Sequence, residues 1–296
     1  MHQHSLFTMD QLTNKEIFSI LHEAQSFENE HQDWQLPVQS ARVANLFFEP
    51  STRTHFSFGS AQMQLGCQIV DFQAESSSIA KGETLYDTIK TFEAIGYQCL
   101  VIRHPKDQYF KELDSINIPI LNAGDGAGNH PSQCLLDLLT IYQEFGKLSG
   151  LKIAIVGDII HSRVASSNYS TLIRLGNEVV FSGPQEWQRE DSPIMDLDKA
   201  VEWADVVMLL RIQKERGAGL KTISNRQYLH QYGLTKERYA RMPKHAIICH
   251  PAPVNRGVEI DSELVESDKS RIFKQMQNGV LIRKVLMKRA FGIEGF

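Results

Sequence analysis

Val43-Ala44-Asn45-Leu46-Phe47-Phe48, continuing as Glu49-Pro50-Ser51-Thr52-Arg53-Thr54, is the stretch on which the fold turns. Its first six residues are almost all apolar, the pattern of a strand buried on both faces. Apolar residues then recur at helical spacing over 56–65, and Gly66 stands where a C-terminal cap belongs. Ser51 or Thr52 would cap that helix, where free backbone N–H groups and the helix dipole favour an anion. The hydroxyls of Ser51, Thr52 and Thr54 with the Arg53 guanidinium form a cradle suited to a phosphate dianion. The plainer reading of the same residues is an N-cap and a surface arginine.

Before this stretch, residues 13–27 carry Ile17, Ile20, Leu21 and Ala24 at helical spacing, with Thr13 or Asn14 as cap and Glu16 close behind. Residues 28–39 read as linker and turn. After it come a strand at 68–72, a serine-rich loop through Ser76, Ser77 and Ser78 to Lys81, and a helix from Glu83 to near Gly96. A strand at 99–102, a helix at 107–113 and a strand at 119–121 lead into Asn122-Ala123-Gly124-Asp125-Gly126-Ala127-Gly128-Asn129-His130-Pro131 and a helix at 132–145. The alternation then restarts: strand 152–156, helix 162–175, strand 178–181, helix 198–203, strands 204–210 and 245–249, and a long helix at 270–289. Two such alternations predict an α/β chain of two doubly wound parallel sheets, each flanked by helices, joined through the helix 132–145.

The chain has 296 residues, enough for two domains with separate cores. Its hydrophobic fraction of 42% and charged fraction of 22% are those of a soluble globular protein. A net charge of -4 offers no global field for nucleic acid or an acidic membrane, so any anion must be held by locally gathered arginines. Cys67, Cys99, Cys134 and Cys249 lie far apart, without zinc spacing or a disulfide framework, and read as reduced thiols of a cytoplasmic protein. No apolar run approaches a membrane span, and the polar start Met1-His2-Gln3-His4 does not read as a signal peptide.

In doubly wound sheets ligands bind beyond the carboxyl ends of the strands. Arg53, Arg103, His130, Arg211 and His250 each follow a predicted strand, and Arg163 sits in a strand-to-helix loop. Polar groups leaving separate strands on one edge can converge in one cleft. Each has a plainer reading: Arg103 as a sheet-end ion pair, His130 as a cap, Gln133 as a surface amide, Lys81 as a solvated lysine. Likewise Arg211-Ile212-Gln213-Lys214-Glu215-Arg216 can be a solvated charge run, and His250-Pro251-Ala252-Pro253 turn punctuation.

Phe48-Glu49-Pro50-Ser51-Thr52-Arg53-Thr54 resembles the phosphate-binding signature of the aspartate/ornithine carbamoyltransferases. Arg103-His104-Pro105, the stretch from Asn122 to Gln133, Gly157-Asp158 with Arg163, the stretch from Leu210 to Arg216, and His250-Pro251-Ala252-Pro253 match the aspartate-specific branch in order and approximate spacing. The resemblance runs from Leu46 to the last helix. It implies transfer of the carbamoyl group of carbamoyl phosphate to L-aspartate, an early step of de novo pyrimidine biosynthesis, in the cytoplasm and without metal or other cofactor. It implies a carbamoyl-phosphate-binding domain of residues 1–131 plus about 275–296, and an aspartate-binding domain of 132–274.

Residue by residue, the resemblance assigns the phosphate to Ser51, Thr52, Arg53, Thr54 and Arg103, and the carbonyl oxygen to Thr54, Arg103 and His130. Gln133 and the backbone carbonyls at Ala252 and Pro253 would grip the carbamoyl amine. Arg163, Arg211 and Gln213 would take the carboxylates of L-aspartate. Ser77 and Lys81 would enter a neighbouring subunit's site, making a homotrimer the working unit; regulatory chains or other pyrimidine enzymes stay open as further partners. Departures from the family pattern are His55, Gly59-Ser60 after Phe58, and Val254-Asn255-Arg256 between the proline turn and its arginine.

Three rivals frame this reading. An ornithine-type carbamoyltransferase resembles the first half, but that branch typically has a cysteine in the turn that here reads His250-Pro251-Ala252-Pro253. A nucleotide-dependent dehydrogenase would need further glycines close behind Gly157, and none occurs before Gly176. A non-catalytic phosphate-binding protein is the third.

Overall fold

Apolar runs with no polar face can be satisfied only where both faces of a sheet are covered, and that is where they lie. Strand β1 (Arg42–Phe47) pairs in parallel with β2 (Gln68–Phe72) on one side and β3 (Cys99–His104) on the other; β4 (Ile120–Asp125) pairs beyond β3. The order is β2-β1-β3-β4. A second parallel sheet of β5 (Lys152–Val156), β6 (Glu178–Ser182), β7 (Val206–Leu209) and β8 (Ile247–Cys249) has the order β6-β5-β7-β8. The two doubly wound sheets read from the sequence are those observed. The structure, a computed structural model, describes residues 4–29, 36, 41–74, 77–189, 192–212 and 223–293.

The chain divides into two compact units, Met1–Leu139 with Met276–Phe296, and Thr140–Gln275. Its longer helices are α1 (Asn14–Asn29), α2 (Thr52–Gln64), α3 (Leu85–Ala94), α4 (Pro131–Phe145), α5 (Arg163–Arg174) and α9 (Ile272–Ala290). The second unit also holds α6 (Leu197–Trp203), α7 (Asn225–Tyr232) and α8 (Lys236–Arg241). Among the described residues no helix is long and apolar enough to cross a membrane. All four cysteines are free thiols; burial pushes the Cys67 thiol up to about 11.

Local chemistry sets the helix starts. Thr13 and Glu16 cap α1 reciprocally: the Glu16 amide donates to the Thr13 hydroxyl at 3.2 Å, and the Glu16 carboxylate accepts from the Thr13 amide at 2.8 Å. Helix α2 begins at Thr52 with Ser51 at the N-cap, one of the two caps read from the sequence, so Arg53 and Thr54 belong to its first turn although the apolar spacing starts only at Phe56. Inside the first unit, Asn45 of β1 and Gln62 of α2 are buried and exchange amide hydrogen bonds at 3.0 and 2.8 Å. That pair fixes the helix on its strand and thereby aims the helix start.

One expectation fails and two helices go unread, for identifiable reasons. The helix expected over 107–113 is only a 3-10 turn, Tyr109–Glu112. Asp107 accepts the Ala127 amide at 2.7 Å, and Gln108, held at a φ of 52° in the left-handed region, donates its amide to Asp125 at 2.7 Å. Those bonds to the glycine-rich turn use the groups that a helix start would need. Helices α7 and α8 were missed because they lack an apolar stripe; their signals are caps, Ser224 with Gln227 and Thr235 accepting the Arg238 amide at 3.3 Å.

Within the first unit the terminal helix returns a cation to the core. Arg283 of α9 donates to the hydroxyls of Ser57 at 2.8 Å and Ser132 at 3.3 Å, and lies 5.0 Å from the centre of the Phe58 ring. Burial lowers its guanidinium to about 9, opposed by the carboxylate of Asp137. Arg283→Ala would leave a cavity and remove the cation facing that carboxylate. It is expected to cost about 3 kcal/mol of stability, read as a lower urea midpoint. An unchanged midpoint would mean that these contacts contribute nothing net.

Candidate active site

Each doubly wound sheet reverses direction at one place, and there the loops diverge to leave a crevice at the carboxyl ends of the strands. In the first unit the reversal lies between β1 and β3. The segment Ser51-Thr52-Arg53-Thr54 leaves β1 at that point, and Arg103 lies in β3 itself, one residue from its end. Ser51 occupies the N-cap position of α2 with extended backbone, and its side chain makes no cap hydrogen bond. The Ser51 carbonyl accepts the His55 amide at 3.2 Å, as the first intrahelical bond.

Arg103 donates to the Ala123 carbonyl at 3.4 Å and lies 3.4 Å from the Glu49 carboxylate, both groups being largely buried. The sheet-end ion pair named as its plainer reading is therefore present, and it ties β3 to the residues just before the Ser51 turn. Glu49 went unnoticed as a partner; its signal was a lone acid inside the signature stretch.

His130 ends the glycine-rich turn after β4 and is 4% exposed. Its carbonyl accepts the amides of Gln133 at 3.0 Å and Cys134 at 3.1 Å, so its backbone starts α4. Its side chain does something else: Nε2 lies 3.5 Å from the hydroxyl of Thr54. The structure thus brings the phosphate-type turn and the glycine-rich turn together inside one unit. Gln133, 7% exposed and one turn into α4, donates to Asp137 at 2.9 Å. Asp137 was missed although it stands four residues on, on the same helical face.

Behind His130 the turn is held by Asp125, fully buried at the end of β4. Asp125 accepts the Gln108 amide at 2.7 Å, the Asn129 amide at 2.7 Å and the Asn122 side-chain amide at 3.0 Å. Gly126, at a φ of 39°, has no room for a Cβ, which would meet the Asp107 carboxylate. The glycine-rich composition is required here by close packing.

Ser77 and Lys81 sit elsewhere in the first unit. Ser77 caps a short 3-10 turn, Ser78–Lys81, its hydroxyl accepting the Ile79 amide at 3.3 Å and donating to the Ala74 carbonyl at 2.7 Å. With Phe72, Glu83, Thr88 and Phe92, among others, these residues line a separate cavity of about 360 Å³, and the Lys81 side chain is exposed. Ser76 of the same loop lies outside the described residues.

In the second unit the reversal lies between β5 and β7. Arg163, 8% exposed, opens α5 after β5, with Ser162 capping by accepting the Ala165 amide at 3.2 Å. Arg211 follows β7, whose end is drawn toward β5 by the Leu210 amide donating to the Val156 carbonyl at 2.8 Å. Gly157, at a φ of 128°, lets these strands approach: a Cβ there would lie 3.2 Å from that of Leu210. Gln213 and Arg216 lie outside the described residues.

Beyond β8, the His250 amide donates to Gln275 at 2.8 Å and its Nδ1 accepts the Ala252 amide at 2.8 Å. Ala252 has a φ of 55°, a left-handed backbone for a residue with a side chain, and precedes a cis peptide to Pro253. The turn is thus a held structure, more than the punctuation its prolines suggest. Among the described residues no group of three or more His, Cys, Asp or Glu is placed to hold a metal ion.

Two family models match the chain. The aspartate/ornithine carbamoyltransferase carbamoyl-P binding domain matches residues 4–143, and the Asp/Orn binding domain of the same family matches 149–290. Among solved structures, the chain is similar to aspartate transcarbamoylase from Trypanosoma cruzi in complex with carbamoyl aspartate and phosphate. The identity is 30% over 97% of this chain and 95% of that one, with a TM-score of 0.85. The same enzyme in complex with carbamoyl phosphate and aspartate matches at 30% identity, 97% and 96% coverage and a TM-score of 0.86. Its complex with carbamoyl phosphate matches at 29% identity, 97% and 96% coverage and 0.87.

Proposed function

The chain belongs to the aspartate/ornithine carbamoyltransferase family, and from that premise we propose that it transfers the carbamoyl group of carbamoyl phosphate to L-aspartate. The products are N-carbamoyl-L-aspartate and phosphate, and the reaction is an early step of pyrimidine biosynthesis. The observation that carries the reading is the Thr54–His130 approach at the crevice where Arg103 also stands, one residue from the end of its strand.

The residue roles follow from charge and geometry. Ser51, Thr52, Arg53 and Thr54, at a helix start, offer backbone amides, hydroxyls and a guanidinium to the phosphate, with Arg103 as a second cation. Thr54, Arg103 and His130 direct donors at the carbonyl oxygen, and Gln133 with the carbonyls of Ala252 and Pro253 accepts from or orients the carbamoyl amine. Arg163, Arg211 and Gln213 hold the two carboxylates of aspartate. The neutral amine attacks the carbamoyl carbon, a C–N bond forms, and negative charge gathers on the carbonyl oxygen, where preorganised donors act most strongly. Collapse breaks the bond to the phosphate oxygen, and the phosphate leaves carrying the proton given up by the amine. No side chain acts as nucleophile.

Shared sites in a cytoplasmic homotrimer belong to the same proposal, with Ser77 and Lys81 serving a neighbouring subunit. Two observations support an interface on the first unit. Phe56 and Met63, seven residues apart on one face of α2, are 68% and 67% exposed, and Val70 is 41% exposed on the sheet-edge strand β2. Large apolar side chains grouped on a solvent face mark a contact surface, and an open edge strand is a further point of contact.

The test is an assay of carbamoyl aspartate formed from the two substrates, with L-ornithine as the alternative acceptor. Product with ornithine and none with aspartate would overturn the choice of branch. Arg211→Ala is expected to damage aspartate use selectively, by about 2–4 kcal/mol in kcat/KM, since its partner carboxylate loses a charged donor. Direct binding of carbamoyl phosphate should survive. Equal loss of both ligands would defeat the division of labour between the two units.

A further inference from the structure

Glu259 is 3% exposed and lies on a segment to which the sequence gives no functional signal. Its carboxylate gathers three donors from two places in the chain. Oε1 accepts the Ile212 amide at 2.8 Å and the Asn255 side-chain amide at 2.6 Å; Oε2 accepts the Asn255 backbone amide at 2.7 Å. Asn255 closes the loop by donating to the Ile212 carbonyl at 3.4 Å. Ile212 directly follows Arg211, and Asn255 stands two residues after Pro253. His250 Nε2 lies 3.9 Å from Oε2.

The acid is itself held from behind, its carbonyl accepting the Leu234 amide at 2.9 Å. Ile212 and Val258 pack in an apolar cluster with Trp187 and Tyr228. Burial pushes the Glu259 carboxyl up while the surrounding donors pull it down, and burial is the larger effect. A buried acid with every contact a donor, spanning two loops at one sheet edge, is a clasp.

We propose that Glu259 is a positioning residue for carbamoyl transfer: it ties the Arg211 arm to the His250-Pro251-Ala252-Pro253 turn, so that the guanidinium offered to aspartate and the carbonyls offered to the carbamoyl amine keep one spacing. The inference rests on the function proposed above and deepens it. Only a carboxylate fits the donor set. In Glu259→Gln one oxygen becomes an NH2 group, which must face an amide N–H whichever way the side chain is turned.

The experiment measures kcat, aspartate KM, carbamoyl phosphate binding without aspartate, and thermal midpoint for wild type, Glu259→Gln and Asn255→Ala. Misplacing binding groups by a fraction of an ångström costs both affinity and rate, so Glu259→Gln should raise aspartate KM about tenfold and lower kcat about tenfold. Carbamoyl phosphate binding should change less than about threefold, because its phosphate is assigned to the Ser51-Thr52-Arg53-Thr54 turn, which Glu259 does not touch. Asn255→Ala, which removes the side-chain amide bonds to Glu259 and to the Ile212 carbonyl but keeps the carboxylate and its bonds to the Ile212 and Asn255 backbone amides, should move in the same direction by a smaller factor. It decides the matter should Glu259→Gln fail to fold. Wild-type kinetics in the folded variants would overturn the proposal. So would equal loss of both ligands in step with a falling thermal midpoint, the mark of a purely structural acid. A wild-type protein that forms no carbamoyl aspartate would overturn the proposed function as well, which separates the two failures.

Discussion

Lys81→Ala and Arg53→Ala proteins are each expected to be nearly inactive, and to regain activity when dissociated and reassociated together. Arg53 opens α2 beside the proposed phosphate site, whereas Lys81 is exposed and lines a different cavity of the same unit. If a site takes Arg53 from one chain and Lys81 from the next, every site in either homotrimer lacks one member. In a mixed trimer, a Lys81→Ala chain supplies its own intact Arg53 and an adjoining Arg53→Ala chain supplies an intact Lys81. Random reassortment of equal amounts around a cyclic trimer then makes about a quarter of the sites complete. Recovery should require exchange of chains and should vanish if the trimers are crosslinked before mixing. Mixtures that exchange fully and stay inactive would place Lys81 within its own chain's site, or outside catalysis altogether.

His130→Ala is expected to lower kcat roughly a hundredfold to a thousandfold, the scale for losing one preorganised donor to a developing oxyanion. The structure makes this substitution unusually clean. The His130 carbonyl starts α4 by accepting the Gln133 and Cys134 amides, and alanine keeps that carbonyl. The imidazole alone is lost, with its approach to the Thr54 hydroxyl. Aspartate KM should stay within about threefold, because the donor acts on charge that appears only in the transition state. A kcat within about threefold of wild type would reduce His130 to the helix cap that its position also allows.

The candidate site can be proposed from the chain because ligands in doubly wound sheets meet strand ends, and strand ends are marked locally. The candidates Arg53, Arg103, His130, Arg163 and Arg211 all follow from one rule, that each follows or ends an apolar run in an α/β alternation. Their supports were not found. Asp137 was within reach, four residues from Gln133 on the same helix. Glu259 was not: its partner Ile212 is 47 residues away, and nothing near Glu259 distinguishes it from a surface acid. Arg283 is 226 residues from Ser57, and on periodicity alone it is a charged residue set among the buried side chains of a terminal helix.

By itself the sequence determined all eight strands of the described residues and the helices that carry an apolar stripe, because the spacing of apolar residues records how many faces an element must bury; α7 and α8, which lack the stripe, left only their caps. It also determined the order of elements, and with it two doubly wound sheets. It could not determine where local polar chemistry overrides that pattern, as at Asp107 and Gln108, where bonds to the glycine-rich turn replaced a helix with one 3-10 turn. Nor could it pair the buried charges. A buried carboxylate or guanidinium takes whichever donors or acceptors the packed elements bring within about 3 Å, and that proximity exists only once the sheets have assembled. The tertiary structure alone therefore decided that Glu49 meets Arg103, that Arg283 joins α2 to α4, and that Glu259 holds the Arg211 arm against the proline turn.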